Sequence, residues 1–163
     1  MSESKELLGA YLNDHLAGSS AGAELAETIL QDSEGTPLGS MMATLLTEIQ
    51  ADRTTLVDLM DRLGIARSTM KQAGAAAAEK VGRLRFHPRV TRSEDLTLLM
   101  EIEVLSVGIE GKRLLWQALK SIEGTEPELA ATDLGDLIDR ALRQRQDLEP
   151  FRVAMAGTAF GRS

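Results

Sequence analysis

The stretch TRSEDLTLLMEIEVLSVGIEGKRLLWQALKSI, residues 91–122, decides the fold. Leu98, Ile102, Leu105, Ile109, Trp116 and Leu119 recur three, four or seven apart, with Leu96, Met100, Glu103, Val107, Glu110 and Leu114 alongside. Residues at that spacing share one side of a helix, so the stretch reads as a long helix with a broad buried face. Thr91 with Glu94 three residues on has the capping-box form, which satisfies orphan backbone donors at a helix start. The helix is expected over about 92–122.

Two upstream segments repeat the pattern. Leu8, Leu12, His15, Ser19, Gly22, Ala26 and Ile29 alternate by four and three over about 3–31, and Met42, Leu45, Ile49, Asp52, Leu56, Leu59 and Leu63 do so over 37–63. Between them lies Asp32-Ser33-Glu34-Gly35, with Thr36 placed as an N-cap and Pro37 at the first helical position. Gly64 is placed as the C′ residue. Downstream, Gly124 to Glu128 forms a turn, and a last helix over about 132–156 carries Leu134, Ile138, Ala141, Arg145, Leu148 and Met155. Pro150 is expected to kink that helix or end its regular part, and residues 157–163 to fray.

Residues 64–93 read as a crossover. They hold a small-residue helix over about 68–84, with Ala75 to Ala78 in a row, and then Arg85-Phe86-His87-Pro88-Arg89, where His87 is expected to be exposed. Two helical hairpins joined by a link of this length, beside helices of ~40 Å at 1.5 Å per residue, imply that the second and third long helices are parallel. The expectation is one all-α domain over 1–163: a ferritin-like four-helix bundle with a long crossover containing a short fifth helix.

Composition supports an all-α domain. At 163 residues, 43% hydrophobic and 26% charged, the chain can close a core of its own. Only 3% is aromatic, while Ala and Leu abound, which favours helices over strands. A net charge of −7 disfavours duplex binding, which needs a broad basic surface. With no cysteine, disulfides and thiolate chemistry are excluded. No basic-then-apolar leader and no apolar run of membrane length is visible, so the expected address is cytoplasmic, without membrane contact.

Charged or titratable residues interrupt the apolar stripes: His15, Asp52, Glu103, Glu110 and Arg145, with Glu48 one turn before Asp52. Hairpin geometry sets His15 opposite residue 54 and Glu110 opposite residue 144, and parallel central helices bring Asp52 and Glu110 to one level. A mid-bundle polar layer is therefore expected, with His15 donating to Asp52. Buried charges need partners, and a guanidinium can bridge carboxylates where a cation would sit. The favoured reading is a structural ion-pair network neutralised by Arg145, with no cofactor. The alternative is a mononuclear iron or manganese site built from His15, Glu48, Asp52 and Glu110.

Three further features are legible. Lys80, Arg83, Arg85, Arg89 and Arg92 form a basic run without an acidic residue. Its ordinary reading is a solvated face, and its sharper one a docking surface for an acidic partner, RNA phosphate or a second copy, with Arg140, Arg143 and Arg145 as an extension. Gly18-Ser19-Ser20-Ala21-Gly22 matches the nucleophile elbow Gly-x-Ser-x-Gly but lies mid-helix, without the strand the elbow needs. Gly18 and Gly22 are expected to admit a close helix neighbour, the alternative being room for a ligand beside His15. The methionines are core fillers.

The stretches Tyr11-Leu12-Asn13-Asp14-His15-Leu16-Ala17-Gly18, Gly35-Thr36-Pro37-Leu38, Glu48-Ile49 to Asp52-Arg53, Glu103-Val104-Leu105 with Gly108-Ile109-Glu110-Gly111-Lys112, and Leu148-Glu149-Pro150 carry a resemblance to an actinobacterial family of ferritin-like bundles. The resemblance implies the fold and imports no activity. It supplies no iron ligands either, because Glu48 lacks a histidine three residues on and the last helix has none. The expected function is non-catalytic, through a protein partner or self-association as a dimer. Nucleic acid is disfavoured as a partner, and a metal-dependent redox or storage role is the alternative.

Overall fold

A computed structural model describes residues 3–68 and 93–161. Four long helices form: α1 (Glu3–Asp32), α2 (Pro37–Arg62), α3 (Glu94–Ser121) and α4 (Leu134–Phe160), with a 3₁₀ turn at Pro127–Ala131. Among the described residues there is no strand, and no helix is long and apolar enough to cross a membrane. The expected helix over 68–84 and the basic residues Lys80, Arg83, Arg85, Arg89 and Arg92 lie outside the described residues.

Local chemistry accounts for most helix ends. Thr36 caps α2, its side chain accepting from Gly39 N at 3.1 Å, and Pro37 follows at the first helical position. Gly64, at φ +63°, closes α2 in the left-handed region that a side chain would resist. Ile65 N then donates back to Met60 O at 2.9 Å, and its side chain is buried. The cap of α3 is Ser93, which accepts from Leu96 N; Thr91, to which the capping-box spacing points, lies outside the described residues. Pro150 neither kinks nor ends α4, which continues to Phe160. Gln146, whose carbonyl loses its donor, is exposed together with Pro150, so water can satisfy that oxygen. The same helix holds residues 157–160, where fraying was expected, in regular structure; residues 162–163 lie outside the described residues.

Two apolar clusters hold the helices together. One joins Leu12 and Leu16 of α1, Leu56 and Leu59 of α2, Trp116 and Leu119 of α3, and Leu134 and Leu137 of α4. The other joins Ala26 and Ile29 of α1, Met42 and Leu45 of α2, Ile102 and Leu105 of α3, and Ala141 and Leu148 of α4. Each fully buried Leu or Ile contributes about 2 kcal/mol by leaving water. Since the N-terminal halves of α2 and α3 share one cluster and their C-terminal halves the other, these helices run parallel. Around the bundle, α1 contacts α2 and α3, and α4 contacts α3 and α2. Between the clusters, α2 presents Asp52, α3 Lys112, and α4 Arg140 and Gln144.

Candidate functional site

Asp52 is 1% exposed, and both its oxygens are used. Lys112 Nζ donates to Oδ2 at 2.5 Å, and an Arg140 terminal nitrogen donates to Oδ1 at 3.0 Å. Lys112 Nζ also donates to Gln144 Oε1 at 2.6 Å, and Gln144 Nε2 donates to Glu48 at 2.8 Å. The other terminal nitrogen of Arg140 reaches Asp136 on its own helix at 3.0 Å. Gln144, 2% exposed, thus turns its carbonyl to a cation and its amide to an anion, and only one amide orientation serves both. Burial pulls the Lys112 ammonium below its ordinary pKa; Asp52 and Glu48 pull it back up, while Arg140 adds to the lowering.

A polar layer lies at this level, but its members differ from those expected, and α1 supplies none of its hydrogen-bonded groups. Asp52 and Glu48 belong to it; the cations are Lys112 and Arg140. Arg145 bonds Glu110 at 2.6 Å on the outer α3–α4 seam, where both are partly exposed, and Arg113 grips the same carboxylate through two nitrogens. Those contacts, led by the Arg113 hydrogen bonds, hold Glu110 below the usual carboxylate range. Glu103 is exposed and meets Arg152 at 3.3 Å. His15 is half-buried and packs edge-on against Tyr11, with ring centroids 4.6 Å apart; no hydrogen bond joins it to Asp52. Each of these departures follows from helix rotation: a residue one position off the core-facing line lands on a seam.

This geometry bears on the metal alternative. His15, Glu48, Asp52 and Glu110 do not converge, and among the described residues no three His, Asp or Glu groups are placed to share an ion. At the centre of the layer an ammonium stands where a cation would be drawn, with the Asp52 oxygens already bonded. The donor set does not fit a ferritin-type metal centre.

Where α1 passes the polar layer it contributes glycine and serine, and a cleft of ≈ 520 Å³ opens between α1 and α3. Gly18 and Gly22 line one wall, Gly108 and Gly111 the other. Among the described residues, a Cβ built on any of the four meets nothing within 4 Å. The expectation of close helix contact at Gly18 and Gly22 is therefore corrected: these glycines face open space. Leu25, Val104 and Leu105 supply apolar wall, while His15, Arg53 and Lys112 bring polar groups to the same cleft. Burial lowers the His15 pKa below its ordinary value, against an upward pull from Asp14. Tyr11 on the rim is raised by burial.

The described residues define an all-α bundle of four long helices with an internal ion-pair layer and an apolar cleft beside it. No family model matches the chain, and no curated protein or solved structure is found to be similar to it.

Proposed function

We propose that this chain is a non-catalytic, cytoplasmic bundle of the ferritin-like kind, with an ion-pair layer in place of a di-iron centre, and that it works by binding. The observation that carries this reading is the Lys112 ammonium, 2.5 Å from Asp52 and 2.6 Å from Gln144 at the level where both apolar clusters stop. Parallel α2 and α3, the long-connection arrangement of ferritin-like bundles, support the fold assignment. A fixed ammonium beside a carboxylate repels a divalent cation and offers no open coordination position. With metal chemistry disfavoured there, the α1–α3 cleft is the feature left to act.

The test is elemental analysis of protein from cells grown with added iron and manganese and purified without chelator. Well under one ion per chain is expected. Stoichiometric iron or manganese that is lost on Asp52→Ala would overturn the reading in favour of a metal-dependent role.

Association with a protein partner or a second copy is a second reading of the same face. Val107 at 72% exposure and Tyr11 at 37%, which both line the cleft, favour it, since exposed apolar side chains at a groove mark contact surfaces.

A further inference from the structure

The α1–α3 cleft combines an apolar channel with donors whose hydrogens are only partly used. Arg53 donates through Nε to Ser20 Oγ at 3.2 Å, and its two terminal NH₂ groups make no hydrogen bond among the described residues. Lys112 spends two of its three ammonium hydrogens, on Asp52 and Gln144. The ring nitrogens of His15 make no hydrogen bond among the described residues. All three side chains line the cleft. Its volume, ≈ 520 Å³, falls in the range of small-molecule sites, which are mostly apolar with a few convergent polar groups. The wall glycines keep the channel open: Gly22 and Gly108, on opposite sides, each leave space that any side chain would take.

We infer that this cleft binds an amphipathic monocarboxylate, an acyl or arylalkyl acid. Its chain would lie between the glycine-bearing walls and its carboxylate against Arg53, with Lys112 and His15 alongside. Charge complementarity selects the anion: of the two carboxylates that also line the cleft, Asp52 is already bonded by Lys112 and Arg140, and Asp14 is exposed. The donors at this level are cationic or neutral N–H groups, and a guanidinium with both terminal nitrogens open matches a carboxylate's two oxygens. Apolar walls select the tail, and a purely polar anion would leave them wet. This inference rests on the proposal that the protein works by binding, and names the class of ligand.

The experiment is isothermal titration of the full chain with octanoate, decanoate and the uncharged 1-octanol, below micelle-forming concentrations. One saturable site per chain is expected, about fourfold tighter for each methylene added to the acid. Octanoate should bind more tightly than 1-octanol by about tenfold, and Arg53→Gln should remove that difference while leaving 1-octanol unchanged. Gly22→Leu, and independently Gly108→Leu, should abolish both ligands without lowering the melting temperature, since each side chain enters open space. Equal affinity for acid and alcohol in the parent protein, no saturable binding, or binding that survives both leucine variants overturns the inference. So does a dimer, seen by sedimentation velocity, that excludes octanoate and dissociates on Gly22→Leu, because the cleft is then filled by a second copy. Metal content enters none of these readouts, so a metal-loaded protein that still binds octanoate through Arg53 defeats the non-metal reading and leaves this site standing.

Discussion

The Lys112 ammonium meets the Asp52 carboxylate 2.5 Å away across the bundle interior, α3 to α2. Asp52 is almost fully buried and the Lys112 side chain is 15% exposed, so neither is well solvated without the other. Removing one member of such a pair strands a charge, at a cost of about 3–5 kcal/mol, whereas replacing both by apolar groups costs far less. Arg140 retains a hold on Asp52, so Lys112→Met should lose about 3 kcal/mol in urea unfolding, at the lower end. Asp52→Leu should lose at least as much. The double variant should lose distinctly less than the sum of the two, and simple additivity would show that the contact is not energetically coupled.

Two sets of glycines should respond with opposite sign to the same change. Gly18 and Gly22 lie inside α1, and among the described residues nothing comes within 4 Å of a built Cβ. Alanine there removes the conformational penalty of mid-helix glycine without a clash, so Gly18→Ala and Gly22→Ala should each stabilise by about 0.5–1 kcal/mol. Gly39, in the first turn of α2, would drive a Cβ into the Ser33 carbonyl oxygen. Gly39→Ala should therefore destabilise by about 1–3 kcal/mol, the range of overpacking. Thermal unfolding of the three variants checks the sign. A loss at Gly18 and Gly22 would restore the close-packing reading of those residues.

The sequence carried the helices well, because their apolar spacing, the Thr36-Pro37 start and the Gly64 stop are local signals. It also carried the existence of a polar layer, since Asp52 breaks an apolar stripe in a place where a charge must be answered. What answered it was not legible. Arg140 reads from the sequence only as an extension of a basic surface, and nothing in the apolar pattern singles out Lys112 or Gln144. Which of them points inward depends on helix rotation, and a single position around the helix, about 100°, separates Gln144 in the core from Arg145 on the seam. The cleft was half legible: Gly18 and Gly22 were visible, but a small residue in a helix reads equally as contact or as room until the neighbouring helix is in place.

Arg145 provides the converse of the Lys112 result. Its partner Glu110 keeps the two-nitrogen grip of Arg113 when Arg145 is lost, and the Arg145 side chain is 41% exposed. Exposed pairs contribute about 0.2–1 kcal/mol. Arg145→Ala is expected to cost at most about 1 kcal/mol in urea unfolding, well below Lys112→Met. Added salt should narrow the difference from the parent chain further, since solvent-facing charges are screened. A loss as large as that of Lys112→Met would return Arg145 to the interior layer.

His15 should make stability depend on pH in a defined window. Burial in the cleft wall lowers its pKa below the ordinary 6.5, with Asp14 opposing the shift. As pH falls through about 6.5, the unfolded chain takes up the proton before the folded chain does, so stability declines with falling pH until the folded-state pKa is also passed. The contribution is fully present above the unfolded value and lost below the folded one. His15→Phe removes the titrating group and should flatten that limb. Urea unfolding from pH 7.5 to pH 5 in both proteins checks this: the stability of the parent minus that of the variant should be constant at the upper end and begin to fall near pH 6.5. A difference that stays constant across the range would mean that burial leaves the imidazole's proton affinity unchanged.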